Sequence, residues 1–402
     1  MKKILICTNH FYPEEFRCND LAFELAKRGH KVTVLTAIPD YPKGKFHKGY
    51  GIFQKRVEQV NGVKVFHSFI IPRGKGGGVR LMINYFSSLL AQCWDAFWMG
   101  LLGKYDYVLV HETSPVMVGI PGVIVSKMKH IPMDFWVLDL WPESLQDAGG
   151  INNTKVLGFF RKLTTWIYKH SSHILISSRG FKESICEKGD FEKKLVYFPN
   201  WADVALEGNT DYKLPEMPEG FRVMFAGNIG EAQDMDHLMA TALELKEEKD
   251  IHFCIVGDGR KKPWVEEFIK ENGLGDTIHL YGRHPIEAMP AFFNAADVML
   301  VTLKDSKIFN RTAPAKLQAY MNAGKPIAAM MNGEGPAVVS EAGCGLSVDA
   351  GDAKAFAELI MRMRSMSKDE LAKMGESGKI YCTEHFSFGK SVETIERLMG
   401  ND

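Results

Sequence analysis

Four short loops in the second half of this 402-residue chain carry the residues best suited to chemistry. Each follows an apolar run: Gly227-Asn228 after residues 223–226, Gly257-Asp258-Gly259-Arg260 after 252–256, Gly282-Arg283-His284 after 278–281, and Thr302-Leu303-Lys304 after 298–301. Glycine at a strand end lets backbone approach a ligand, and helix N-termini attract anions; ligands of open α/β sheets bind at such ends. Four loops in succession point to a nucleotide-type ligand. Arg311 and Lys316 bracket residues 312–315 ahead of the periodic run 317–323, so two cations flank a helix start suited to a diphosphate. The alternative is a pair of solvated surface charges. Gly333-Glu334-Gly335-Pro336 opens a further helix, whose amides could face the same ligand or form a plain turn.

The first half offers carboxylates. Asp139 and Glu143 flank Trp141-Pro142 at the end of an apolar run. A carboxylate there could orient or deprotonate an acceptor hydroxyl, or stabilise positive charge on a sugar; alternatively, Asp139 caps the next helix. Glu14, Glu15 and Arg17 follow the first apolar run and would line the same cleft. His10 and His111, both at strand ends, are candidate bases or hydrogen-bonded structural histidines.

Several chemistries are excluded. No G-x-G-x-x-G with a following acid, no G-x-x-x-x-G-K-[ST], no H-E-x-x-H and no G-x-S-x-G occurs. The seven cysteines form neither a CxxC pair nor a zinc spacing, a reduced, cytosolic usage. Lys+Arg and Asp+Glu both number 49, so no global field draws the chain to nucleic acid.

The positioning elements are βα units. Strands are expected at residues 4–7, 32–36, 63–67, 107–111, 134–139 and 173–177, with a helix at 19–28 and helices throughout the intervals, making parallel pairing the default. After Pro199-Asn200-Trp201 the composition shifts to a Gly/Pro-containing run. The expected organisation is an N-terminal Rossmann-like domain (1–200), a linker (201–220), a second Rossmann-like domain (221–385), and a helix (386–402) crossing back to the first. Residues 79–102 read as an aromatic, leucine-rich helix interrupted by Arg80, Asn84, Gln92 and Asp95. Those residues make a membrane span too costly. It is either a buried helix or one lying on a membrane surface behind the basic loop 73–78.

The stretches Phe11-Tyr12-Pro13-Glu14, residues 25–36, Asp139-Leu140-Trp141-Pro142-Glu143-Ser144, Pro199-Asn200, Gly227-Asn228, Val256-Gly257-Asp258-Gly259, Gly282-Arg283, Met289-Pro290, residues 295–298, and Pro314-Ala315-Lys316 leading to residues 320–326 together resemble the retaining GT-B glycosyltransferases of family four. Within that family the chain is similar to the O-antigen and capsule N-acetylfucosaminyltransferase-like branch. The resemblance implies an α/β GT-B fold, two doubly wound domains facing across a cleft. It also implies a UDP-sugar co-substrate held by the second domain, an acceptor held by the first, and neither cofactor nor metal. Donor contacts fall on Gly227, Asn228, Gln233, Gly257, Arg283, Arg311, Lys316 and Gly335; acceptor contacts fall on Glu14, Glu15, Arg17 and His111; Asp139 and Glu143 take the catalytic roles.

The chain departs from the family pattern where charge matters. The usual arginine and lysine after the strand opening the second domain fall on Asn228 and Gln233. The usual pair of glutamates falls on Arg311 and Ala319, and the usual histidine before the aspartate on Leu138. The expected function is sugar transfer from a UDP-sugar to a polyprenyl-linked or oligosaccharide acceptor in surface polysaccharide synthesis. The expected location is cytoplasmic, against the inner face of an anionic membrane. A UDP-sugar epimerase of the same fold and a non-catalytic sugar-nucleotide-binding scaffold are the alternatives.

Overall fold

The computed structural model describes residues 1–74, 77–147, 150–202 and 211–400. Lys75 and Gly76 of the basic loop and residues 203–210 of the expected linker lie outside the described residues. The chain divides into two compact units, Met1–Phe198 with Ser391–Asp402, and Pro199–Lys390.

The first unit is built on an eight-stranded sheet: β1 Lys3–Thr8, β2 Lys31–Ala37, β3 Val57–Val60, β4 Val63–Ser68, β5 Tyr107–Glu112, β6 Met133–Val137, β7 His173–Ile176 and β8 Leu195–Tyr197, in the order β3-β4-β2-β1-β5-β6-β7-β8. All pairings are parallel except β3 with β4. The central strands are buried on both faces, which is why they read as unbroken apolar runs; Ile4 to Cys7 are all 0% exposed. β4 lies where a strand is expected, at residues 63–67; β3 is missing from the expectations and pairs with it in a hairpin. Its two-residue loop is Asn61-Gly62, both at positive φ (45° and 81°), with Val60 opposite Val63. That dipeptide matches the twist of a tight hairpin.

The second unit has β9 Phe221–Ala226, β10 Ile251–Val256, β11 Ile278–Gly282, β12 Val298–Thr302, β13 Ile327–Met330 and β14 Gly345–Val348, in the order β11-β10-β9-β12-β13-β14 and parallel throughout. Its core is Val223, Phe225, Leu238, Phe253, Leu300 and Phe356 with their neighbours. Both sheets reverse direction of growth beside their first strand, at β1/β5 and β9/β12. Such switch points leave a crevice at the carboxyl ends of the strands. Each unit is therefore a doubly wound Rossmann-like domain, as expected.

Boundaries move by a few residues. The first helix is Arg17–Lys27, and the last three are Ala353–Arg364, Lys368–His385 and Phe388–Gly400. The last belongs, from Ser391 onward, to the first unit. There Glu396 accepts a 2.8 Å hydrogen bond from Arg28 and pairs with His30 at 3.2 Å. No described helix is long and apolar enough to cross a membrane. Of the two readings of residues 79–102, the structure does not give a helix buried all round: in the helix Gly78–Leu102, Ala96 and Met99 face the core, while most of its large apolar side chains face outward.

Candidate functional site

In the second unit a cavity of about 340 Å³ opens at the carboxyl ends of β9, β10 and β11, lined by Gly227, Asn228, Val256, Gly257, Asp258, Arg283, His284 and Met289. Two glycines make it possible. Gly227 and Gly257 sit at φ of +142° and +143°, and a Cβ on Gly257 would lie 1.8 Å from the Gly227 carbonyl oxygen. Only glycine lets the two loops approach this closely. Arg283 is exposed at the cavity wall. His284 is fixed by two contacts, Nε2 to the Tyr281 carbonyl at 3.1 Å and Nδ1 to the Tyr212 hydroxyl at 3.2 Å. The carbonyl can only accept, so Nε2 carries the proton and Nδ1 accepts from the phenol.

Lys316 stands at the edge of this site. A Cβ on Gly227 would be 2.8 Å from its Cε. Its ammonium lies 3.7 Å from the Phe225 ring centroid and donates a hydrogen bond to the side-chain carbonyl of Gln233. Burial pushes its pKa down to about 7. Nearby Lys304 and Lys261 are balanced by two carboxylates, Glu231 (3.0 and 3.2 Å) and Asp236, which also pairs with both. Lys316, by contrast, is bonded to a neutral amide, so its charge is left for a ligand. The helix bearing it, Ala315–Asn322, is fastened to β9 by Tyr320, whose buried hydroxyl donates to the Ala226 carbonyl (3.0 Å) and accepts from the Ala226 amide (3.1 Å).

The structure thus brings Gly227, Asn228, Gly257 and Arg283 to one cavity, with Gln233 and Lys316 bonded together beside it. Arg311 and Gly335 lie outside its lining. Arg311 ends the short helix Lys307–Asn310 after β12, and Gly335 lies in the first turn of the helix Glu334–Glu341 after β13; the two segments pack so closely that a Cβ on Gly333 would fall 1.8 Å from the Asn310 carbonyl oxygen. Asp305 joins them by accepting from Asn310 (2.8 Å) and Asn332 (3.1 Å). Asp258, His284 and Met289 line the cavity without having been singled out. Each stood within a quoted motif, one or two residues from a named position or inside a helix start.

In the first unit the carboxyl ends of β1, β2 and β4 hold a buried polar cluster. Glu14 Oε1 accepts from the amides of Asp40 (2.8 Å) and Tyr41 (2.7 Å), while Oε2 meets His10 Nδ1 at 2.6 Å. The other ring nitrogen of His10, Nε2, accepts from Arg73 at 3.2 Å, and Arg73 pairs with Asp40 at 3.4 Å. His10 stacks on Phe16, centroids 4.9 Å apart. Glu14 is therefore 4% exposed with both oxygens engaged, whereas Glu15 is exposed and Arg17 half-buried at the start of its helix. Asp40 and Arg73 were missed because only the fold joins their loops to Glu14.

A second cluster follows β5 and β6. His111 is 1% exposed, bonded to Thr8 Oγ1 at 3.1 Å and set edge-on to Trp136; burial pushes its pKa down to about 3. Its ring is neutral and packs the strand ends. Asp139 is half-buried and accepts from Ser114 Oγ at 2.5 Å, which in turn accepts from the Trp141 indole at 3.1 Å. Behind it lies Glu112, fully buried and accepting from the amides of Leu138 and Asp139 (3.2 and 3.4 Å). Burial, then the Asp139 charge, holds the Glu112 carboxyl well above the usual range. Glu143 points elsewhere. It accepts from Lys188 at 2.6 Å and Ser184 at 2.8 Å. Burial opposes ionisation of Glu143, yet Lys188 and the hydrogen bonds leave its pKa lowered.

Comparison with known proteins agrees with this geometry. Residues 15–201 match the glycosyl transferase 4-like domain, and residues 220–365 match the glycosyl transferases group 1 family. "Putative colanic acid biosynthesis glycosyl transferase WcaI" of Escherichia coli strain K12 is 24% identical over 319 residues, 75% of each chain. Among solved structures, HepE of Anabaena, crystallised with UDP, is similar over 100% of both chains with a TM-score of 0.70 and 15% identity. WaaG, a glycosyltransferase involved in lipopolysaccharide biosynthesis, is similar over 99% of this chain and 100% of its own, with a TM-score of 0.66 and 12% identity. The sequence matches, the two switch-point sheets and the glycine-walled cavity make this chain a member of the group 1 glycosyltransferases, with a glycosyl transferase 4-like N-terminal unit and the GT-B type of fold.

Proposed function

We propose that the protein transfers a sugar, with retention, from a UDP-sugar to a polyprenyl-linked or oligosaccharide acceptor during assembly of a surface polysaccharide of the O-antigen or capsule type. The branch resemblance favours an N-acetylated deoxyhexose or hexosamine as the sugar. The observation that carries the donor side is Lys316, an under-neutralised cation beside the Gly227–Gly257 cavity. The UDP in the HepE crystals and the colanic acid name of the E. coli relative support the same donor and pathway class.

In this reading the base and ribose occupy the cavity between Gly257 and Arg283, and the diphosphate faces Lys316 and the Asn228 amide, the Gly227 amide being held by the Val256 carbonyl at 2.9 Å. As the sugar–phosphate bond breaks, negative charge grows on the leaving UDP, and fixed donors stabilise it without reorganising. Lys316 supplies the charge that the family pattern places at position 233, delivered from the helix Ala315–Asn322 and held by Gln233. No metal or cofactor enters the proposal. On the acceptor side Asp139, positioned by Ser114, is the carboxylate proposed to face the acceptor hydroxyl. The arrangement leaves Glu143 orienting the segment through Lys188.

The test is incubation with a panel of UDP-sugars, with and without a polyprenyl-diphosphate-linked saccharide, following UDP release and the lipid product by mass spectrometry. The proposal expects a glycosylated lipid and acceptor-dependent UDP release. Release of UDP together with an epimerised sugar, without acceptor, would replace it with the epimerase reading.

A further inference from the structure

The helix Gly78–Leu102 is amphipathic in the reverse sense. Its inward row recurs every fourth residue and begins polar: Asn84, Ser88 and Gln92 are 0%, 4% and 1% exposed, followed by Ala96. Its outward stripe is apolar, with Leu90 at 71%, Trp94 at 63%, Met82 at 55%, Phe86 at 44%, Phe97 at 44% and Leu101 at 53% exposure. A soluble surface helix would show the opposite pattern. A contiguous apolar stripe along a 25-residue helix marks a surface that something else covers.

Charge selects what covers it. Asp95, the acidic residue of this helix, is turned inward, accepting from Ser68 at 2.6 Å and facing Arg56 at 3.8 Å. The stripe is left without an acidic residue. Arg80 is exposed at its start, and Lys104 is exposed just past its end. The neighbouring helix Gly119–Lys129 packs at Gly100 through Met128 and brings Lys127 and Lys129 to the same end. Aromatic and leucine side chains between cations, with two tryptophans in edge contact (Trp94 and Trp98, 5.9 Å), are the composition of a helix lying in a bilayer interface.

We infer that this helix docks the protein on an anionic lipid bilayer, lying in the headgroup plane with its apolar stripe inserted. The inference deepens the lipid-linked acceptor of the proposed function and rests on that reading for its purpose, though not for its geometry. The inward polar row ties the docked helix to the strand-end loops of the first unit. Asn84 donates to Asp40 (3.1 Å) and to the Ile71 carbonyl (2.7 Å), and Gln92 donates to Asn9 (3.4 Å). Asp40 belongs to the Glu14–His10–Arg73 cluster, so the membrane-facing helix and those loops form one hydrogen-bonded body.

The full-length protein would be mixed with phosphatidylcholine vesicles with and without phosphatidylglycerol, reading flotation and quenching of tryptophan fluorescence by brominated lipid. Binding should require phosphatidylglycerol and weaken with salt. The Trp94→Ser/Trp98→Ser pair should lower partitioning about tenfold or more, given the apolar area withdrawn from insertion. Arg80→Glu with Lys127→Glu should remove the lipid selectivity. Stabilisation by UDP, measured on each variant, separates loss of docking from loss of the fold or of the donor site. Failure of the wild type to float with anionic vesicles would overturn the inference. So would a concentration-dependent dimer that the tryptophan substitutions dissolve, because the stripe would then belong to a second copy.

Discussion

Single residues in this protein hold charges away from their usual states, and Glu112 is one of them. Its carboxyl is buried behind Asp139, with pKa raised first by burial and then by that neighbour. A carboxyl whose folded pKa is raised favours the fold at low pH, and that contribution is lost as pH rises toward the folded pKa. The stability of Glu112→Gln relative to wild type should therefore improve as pH rises above the ordinary carboxylate value of 4.5 toward the raised folded one, by at most about 1.4 kcal/mol per pH unit. Urea unfolding at several pH values would show it; parallel curves for the two proteins would contradict it. The sequence placed Asp139 at the right strand end but gave no hint of Glu112, because burial of an acid is a property of the packed sheet. Lys316 was legible as a cation near a helix start. Its hydrogen bond to Gln233 was not, since that contact spans 83 positions of sequence.

Elements were legible where two-sided burial produced an unbroken run of large or β-branched apolar residues. The runs at residues 4–7, 107–111 and 223–226 became strands because two-sided burial demands unbroken apolar sequence. β3 escaped because its exposure alternates and its chemistry is ordinary; Asn61-Gly62 was the signal that could have found it. β13 is small and short, Ile-Ala-Ala-Met, and reads as easily as helix. The helix Gly78–Leu102 shows the limit of composition alone, which reports apolarity without saying which face is inward. Between elements, Tyr320 is the decisive fastener. Tyr320→Phe would strip the buried Ala226 amide and carbonyl of this partner, costing about 1–3 kcal/mol. UDP binding should weaken with it, because Lys316 rides on the same helix. Unchanged stability and affinity together would show that the helix is held some other way.

At the scale of the whole molecule, the fold class was readable because βα rhythm persists through both halves, and two switch-point sheets are its consequence. The site was readable only in part, since the family's usual charges are absent from their usual positions and their replacement is a matter of geometry. The central claim is that a UDP-sugar binds in the second unit with Lys316 supplying the charge. Binding of an anion stabilises the protonated lysine, so UDP affinity should fall as pH rises above about 7. The most direct measurement is thermal unfolding in EDTA with UDP, GDP, ADP and dTDP, on wild type and Lys316→Met, at pH 7 and 9. UDP alone should stabilise the wild type, by about 2.7 kcal/mol at one hundred times its Kd. Lys316→Met should weaken UDP about ten- to hundredfold and erase the pH dependence. Stabilisation by no nucleotide, or equal stabilisation of the variant and the wild type by UDP, would contradict the account.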